Sequence, residues 1–70
     1  MKWALIIEHK TKEIYEDRKT AKQALTKYIK TNFCERSKTA ALYYLNMSYN
    51  NNPDNFGASI GYEVKAISSN

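Results

Sequence analysis

The feature that most constrains the fold is the segment 18–33, whose apolar side chains recur with the period of a helix. The i, i+3, i+4, i+7, i+8 spacing places these side chains on one face of the helix: Ala21, Ala24, Leu25, Tyr28 and Ile29. Asp17 is a good N-cap, and residues 20–23 fit the capping-box pattern. We therefore expect a helix that begins near residues 18–21, ends at about residue 32 or 33, and packs its apolar face on a second layer.

The same segment carries five basic residues between Arg18 and Cys34 and no acidic one. At about 100° per residue, four of them lie on the arc opposite the apolar face: Lys19, Lys22, Lys27 and Lys30. This face could be a solvated exterior, since lysine is a good helix former. It could equally bind nucleic-acid phosphate or an acidic protein groove. A solvated face usually mixes both signs of charge, so the missing acids keep the binding interpretation open.

Strand patterns flank this helix on both sides. They predict strand 1 at residues 2–8, strand 2 at 13–16, strand 3 at 40–49 and strand 4 at 58–67. Residues 34–38 form a polar connection, 50–57 a loop, and 68–70 a fraying end. The order is ββαββ, or βαββ if the helix begins as early as Thr11. Either order predicts one α+β domain over residues 1–70, in which an antiparallel three- to four-stranded sheet carries one amphipathic helix on one face.

A single helix covers only one face of such a sheet. Alternation directs one set of side chains towards the helix: Trp3, Leu5, Ile7, Ile14, Tyr43, Leu45, Met47, Ile60, Tyr62 and Val64. It directs a second, smaller set to the open face: Ile6, Tyr15, Leu42, Tyr44 and Ile67. An uncovered apolar patch can mark an interface. We therefore assign Tyr15 and Tyr44 to a partner and expect Tyr43 to be buried.

Composition excludes several classes of site. With one Cys and one His among 70 residues, the chain cannot form an internal disulfide, and we expect no metal site. The seven carboxylates show no pairing for acid–base chemistry, and Gly57 and Gly61 do not form a phosphate-binding loop. Cys34 is expected to be a buried small apolar residue. Phe56 is expected either to contact a partner from the loop or to fold back onto the sheet.

These exclusions predict a non-enzymatic protein without metal or cofactor. The net charge of +4 gives a moderate attraction to polyanions. A single cysteine fits a reducing compartment, residues 3–7 are too short an apolar run for a signal peptide, and no segment approaches the ~20 apolar residues of a membrane span. We therefore expect a cytoplasmic protein of a bacterial host cell, with no membrane partner.

The first half of the chain resembles the small phage-encoded inhibitors of bacterial defence systems, anti-CRISPR proteins in particular. The residues that carry the resemblance are Met1-Lys2, the apolar strand ending in Ile6-Ile7, the helix around Ala21-Lys22 and the pair Phe33-Cys34. The resemblance implies a non-enzymatic inhibitor that docks on a nucleic-acid-handling defence complex and competes for its nucleic-acid path. Under it, Lys19, Lys22, Lys27 and Lys30 form the docking surface. The alternatives are a small DNA- or RNA-binding module that uses the same face, and a homodimer without ligand.

Overall fold

A computed structural model of the chain describes residues 1–67, apart from the side chain of Ser59, and shows a four-stranded sheet with two helices on one face. The elements follow the chain as β1 (Lys2–Ile7), β2 (Lys10–Tyr15), α1 (Arg18–Asn32), α2 (Glu35–Asn51), β3 (Asn55–Phe56), a short 3-10 helix (Ala58–Ile60) and β4 (Tyr62–Ile67). The strands lie in the order β2-β1-β4-β3, and every neighbouring pair is antiparallel. The α+β class and the antiparallel sheet are confirmed, whereas the prediction of a single helix is wrong. The predicted fraying of residues 68–70 lies outside the described residues.

The first hairpin is tighter than the sequence pattern predicted. Glu8 and His9 form a two-residue turn, and both have a positive φ, 53° and 68°. A two-residue connection with left-handed backbone at both positions matches the right-handed twist of the strands that it joins. Because this turn is so short, β2 begins at Lys10, three residues before the predicted start at residue 13.

Helix α1 begins at Arg18, directly after the predicted N-cap Asp17. The Asp17 side chain accepts a hydrogen bond from the Thr20 backbone N–H at 2.8 Å and another from the Thr20 hydroxyl at 2.9 Å. These bonds satisfy a donor that the first turn of a helix leaves free. They also favour the ionised carboxylate, so the pKa of Asp17 lies below its ordinary value.

Residues 40–49, predicted as strand 3, are part of the 17-residue helix α2. This segment alternates, but it also has apolar residues at helical spacing: Ala41 and Leu45 are 4% and 1% exposed. Ala, Leu and Met are strong helix formers, so local propensity supports the helical alternative. The helix ends at Asn51, two residues before Pro53, which disfavours helical backbone in the residue that precedes it.

Both helices pack on the same face of the sheet. The core that they form with it consists of Leu5, Ala21, Leu25, Ile29, Ala41, Leu45, Phe56 and Val64. The predicted inward placement of Tyr43 and Met47 is wrong, because these side chains lie on the outer side of α2 and are 63% and 40% exposed. Leu42, predicted on the open sheet face, instead packs beside the core from α2.

The register of β2 reverses two further placements. Tyr15 pairs with Trp3, and both pack beside the core on the helix side. Ile14, predicted to face the helix, pairs with Ala4 and is 43% exposed on the open face. Neighbouring residues of a strand point to opposite faces, and the register shifts between Leu5 and Ile6, where β2 holds one extra residue. This bulge exchanges the two roles. Ile6 and Ile67 alternate with core-facing residues and lie on the open face, as predicted.

The end of the predicted loop 50–57 is built into the core. Phe56 in β3 is fully buried and meets the Tyr49 ring edge-to-face at 5.0 Å between centroids. The next residue, Gly57, donates its backbone N–H to the Ser48 hydroxyl at 3.1 Å. Phe56 therefore folds back onto the sheet and does not project towards a partner.

Candidate functional site

The four lysines of α1 form one continuous basic surface, which we call the lysine stripe: Lys19, Lys22, Lys27 and Lys30. Together with Gln23 and Thr26 they line a groove of about 520 Å³ along the outer side of the helix. The stripe covers eleven residue steps, or roughly 16 Å at 1.5 Å per residue. The structure thus brings the four predicted lysines together on the solvent side of α1.

Among the described residues, no ion pair neutralises a lysine of the lysine stripe. Within residues 1–67 the ion pairs are Lys2–Glu16 at 3.1 Å, Arg18–Asp54 at 2.7 Å and Lys38–Glu35 at 3.0 Å. None of them includes a residue of the stripe. The pairs Lys19–Lys22 and Lys27–Lys30 have (i, i+3) spacing, so their like charges repel each other weakly. An external anion would relieve that repulsion, which gives the surface a physical reason to bind one.

Two basic residues of α1 also have structural contacts. The Lys22 ammonium lies 5.1 Å from the centre of the Tyr49 ring, so it links α1 to α2 through a cation–π contact. The Arg18 guanidinium pairs with Asp54 and lies 5.5 Å from the centre of the Trp3 ring. Lys19, Lys27 and Lys30 are exposed and have no such contact among the described residues. These three lysines are therefore the most available to a partner.

A second groove, of about 270 Å³, runs beside the lysine stripe between α1 and β2, and we call it the tyrosine groove. It is lined by Leu5, Lys12, Tyr15, Ala24, Lys27, Tyr28, Thr31 and Asn32. Lys27 lines both grooves, so they meet at this side chain. The Lys12 ammonium lies 5.8 Å from the centre of the Tyr28 ring and adds a further positive charge. Burial raises the pKa of Tyr15, and the nearby Glu13 carboxylate raises it further.

The sequence interpretation chose Tyr15 but missed Tyr28 and Lys12. Tyr28 was assigned only to the apolar face of the helix, although it is half-buried at the edge of that face, next to Lys27. Its position in the helical pattern beside a lysine was the available signal. The sequence pattern assigns Lys12 to a turn, because it predicts that β2 begins after this residue. Its place in the groove depends on the hairpin register, which sequence alone did not fix.

Tyr44, the other aromatic residue assigned to a partner, lies away from the lining of both grooves. It is on α2, where it meets the neighbouring Tyr43 ring edge-to-face at 5.4 Å. The expected contrast between the two rings is wrong: Tyr43 is 63% exposed and Tyr44 is 49% exposed. In a helix, adjacent residues are about 100° apart and do not alternate between opposite faces. Both rings therefore reach solvent.

Cys34 is exposed, and the expectation of a buried small apolar residue is wrong. It precedes the first turn of α2, with its Sγ 3.3 Å from the Ser37 hydroxyl oxygen. Hydrogen bonds from the Ser37 hydroxyl and from backbone amides of that turn hold the pKa of the thiol below its ordinary value. Across the described part of the chain, no three His, Cys, Asp or Glu side chains are grouped so that they could hold a metal ion.

No helix in residues 1–67 is both long and apolar enough to cross a membrane. No family model matches the sequence, and neither the curated proteins nor the solved structures contain a match to it.

Proposed function

We propose that this protein is a non-enzymatic binding protein whose lysine stripe holds the phosphate backbone of a nucleic acid. The observation that carries the proposal is the set of four lysines on one helix face, in a segment without acidic residues and without an ion pair to any residue of 1–67. Lysine acts on phosphate as a compact point charge, and phosphate contacts supply most of the affinity in sequence-independent binding. Such contacts carry no sequence information, so we expect little sequence preference.

The tyrosine groove favours a single strand over a duplex. Proteins that bind single strands combine a basic surface along the backbone with aromatic side chains that contact the bases. Here Tyr15 and Tyr28 lie directly beside the stripe, and Lys27 connects the two surfaces. A flexible strand can hold its phosphates on the stripe while one base enters the groove. Stacked and paired bases in a duplex cannot do this without unpairing.

The sign of the charge also bears on the role that the family resemblance implies. A nucleic-acid path on a protein complex is usually basic, because it holds phosphates. A basic inhibitor would be repelled from an empty path, whereas it would be attracted to the nucleic acid within a loaded one. Contact with nucleic acid is therefore the better use of this surface.

The experiment is a fluorescence anisotropy titration with a labelled oligothymidine of about 12 nucleotides. Changing Lys19 and Lys30 to Gln removes two exposed charges of the stripe. At ~50 mM salt this change should weaken binding roughly 10- to 100-fold, because two phosphate contacts no longer release counterions. A duplex of the same length should bind more weakly than the single strand.

The matched control changes Lys10 and Lys65 to Gln. Both residues are exposed and lie on the sheet, and the net charge falls by the same amount. This variant should bind within about threefold of the wild type, since only the general field changes. Equal losses in the two variants would show that total charge, and not the stripe, determines binding.

A second candidate function is favoured by the position of the stripe on the solvent side of α1. An exposed helix face can insert into a groove of a larger protein, and an acidic groove would match the four lysines. Under this candidate the protein docks as an inhibitor on a bacterial nucleic-acid-handling defence complex, as the resemblance implies. A pull-down from bacterial lysate with and without nuclease separates the two functions. A stoichiometric protein partner that survives nuclease favours docking, and recovery that depends on nucleic acid favours direct binding.

A further inference from the structure

Helix α2 has a second apolar stripe that the core does not use. Its members, which we call the outer stripe, follow the i, i+3, i+4, i+7 spacing and are all exposed: Ala40, Tyr43, Tyr44 and Met47. The core stripe of the same helix contains Ala41 and Leu45 and points about 130° away, at about 100° per residue. A helix on the surface of a domain ordinarily has one apolar stripe, and the opposite face is polar. α2 instead presents an organised apolar surface to solvent.

The outer stripe lies in a part of the chain without charge. Residues 39–53 contain no Lys, Arg, Asp, Glu or His, although the whole chain carries a net charge of +4. A partner chosen by electrostatic attraction would find nothing to pair with on this face. A second copy of the chain would find no like charge to repel it. Depletion of charge together with enrichment in Tyr and Met is typical of the centre of a protein interface.

We propose that two copies of this chain associate through the outer stripe of α2, with the helices antiparallel about a twofold axis. An isologous contact needs a surface that is complementary to itself. With the axis between Tyr43 and Tyr44, Tyr43 packs on the partner's Tyr44, and Ala40 packs on the partner's Met47. The small alanine thus faces the long, adaptable methionine, and the tyrosine rings meet in the middle.

The antiparallel direction follows from the one charge at the end of the outer stripe. Arg36 is one helical turn before Ala40 and is exposed. In the antiparallel arrangement it reaches the uncharged Asn51 of the partner subunit. The partner's Arg36 is then fifteen residue steps away along the helix, or roughly 22 Å, which is well beyond the Debye length at physiological salt. In a parallel arrangement the two arginines would lie side by side.

The size of the surface indicates a weak, concentration-dependent dimer. An aromatic side chain can bury a surface area of roughly 150–250 Å². In the monomer, Tyr43, Tyr44 and Met47 are 63%, 49% and 40% exposed. With Ala40 and the polar rim, each copy contributes about 500 Å², which gives about 1,000 Å² in total. This is near the lower limit for a specific interface. We therefore expect association in the micromolar range or weaker.

Sedimentation velocity over a range of protein concentrations tests the proposal. The wild type should shift from monomer towards dimer as the concentration rises to about 500 µM. The shift should persist at ~0.5 M salt, because the interface is uncharged, whereas any assembly bridged by nucleic acid through the lysine stripe would dissociate. A wild type that stays monomeric throughout would overturn the proposal.

Two lysine substitutions on α2 provide the matched variants. Tyr43→Lys places like charges across the axis and should weaken the dimer at least tenfold. Asn46→Lys adds the same charge at an exposed position beside the outer stripe and should leave the dimer within about threefold. Circular dichroism should show both variants folded, since both side chains are exposed in the monomer. Equal effects of the two changes would contradict the proposed interface.

Cross-linking with a short bis-maleimide tests the direction of the helices in a Cys34→Ser background. An equal mixture of the Ala40→Cys and Met47→Cys chains should give the mixed cross-linked dimer, and each chain alone should give little product. Strong cross-linking of each chain to itself would establish a parallel pair and contradict the antiparallel proposal.

Discussion

The two glycines of the chain provide a matched test of the packing at the end of β3. Gly57 and Gly61 flank the short 3-10 helix and have nearly the same left-handed backbone, with φ of 88° and 85° and ψ of −5° and −4°. Their surroundings differ. A Cβ on Gly57 would lie 2.4 Å from the Tyr62 carbonyl oxygen and 3.0 Å from a Leu25 methyl group. Among the described residues, a Cβ on Gly61 would meet nothing within 4 Å.

The expected losses of stability follow from these surroundings. A left-handed backbone costs an L-residue roughly 1–2 kcal/mol, and this cost applies equally to Gly57→Ala and Gly61→Ala. The contact with the Tyr62 carbonyl has to be relieved by moving backbone, and forced overpacking of this kind adds about 1–3 kcal/mol. We therefore expect a loss of roughly 1–2 kcal/mol at Gly61 and about 2–5 kcal/mol at Gly57. A domain of this length has only about 4–10 kcal/mol in total, at 0.05–0.15 kcal/mol per residue.

Urea denaturation followed by circular dichroism measures both losses directly. The difference between the two variants reports the steric contact alone, because the cost of the backbone conformation cancels between them. Protein concentration is held low and equal, so that self-association does not add to the apparent stability. Equal losses in the two variants would refute the close approach of Gly57 to Tyr62.

Two further predictions concern α1. Leu25→Ala should lower the free energy of unfolding by about 2–5 kcal/mol in the same denaturation assay, because the Leu25 side chain is fully buried in the core. A barely shifted midpoint would mean that this face of α1 is misassigned. Asp17→Ala should lower the thermal midpoint at pH 7, where the carboxylate is ionised and caps the helix. The folded pKa of Asp17 is lowered, so its contribution is present above the unfolded pKa and is lost as the pH falls through the folded value. The midpoints of the variant and the wild type should therefore converge below about pH 4, and a gap that stays constant in acid would contradict this role.

The sequence was most informative where local chemistry determines the structure. The apolar face of α1, its Asp17 cap and the four lysines opposite that face were predicted, because each depends on spacing within one helix. α2 was not predicted. Its outer stripe adds apolar residues opposite the core stripe, so Ala41, Tyr43, Leu45 and Met47 alternate as they would in a strand. Two apolar stripes on one helix therefore produce the alternating pattern that is typical of a β-strand. Only the length of the segment and its helix propensity favour the correct assignment to a helix.

The part of the site formed by β2 depends on tertiary register. The chain reverses at Glu8 and His9, a turn that lacks the glycine or asparagine usually found at left-handed positions. Tyr15 and Ile14 then exchange faces because the register shifts between Leu5 and Ile6, where β2 holds one extra residue. Neither feature has a clear local signal. The tyrosine groove beside the lysine stripe therefore cannot be predicted without the register of β1 and β2.

The dependence of nucleic-acid affinity on salt is the most direct test of the lysine stripe. Each phosphate of a single strand that a lysine neutralises changes the slope of log K against log salt concentration by about −0.7, because counterions are released. Four engaged lysines predict a slope near −2.8 for the wild type. The variant with Lys19 and Lys30 changed to Gln should have a slope near −1.4, and the Lys10 and Lys65 control should keep the wild-type slope. A wild-type slope near zero, or the same slope in both variants, would contradict the assignment of phosphate binding to this helix face.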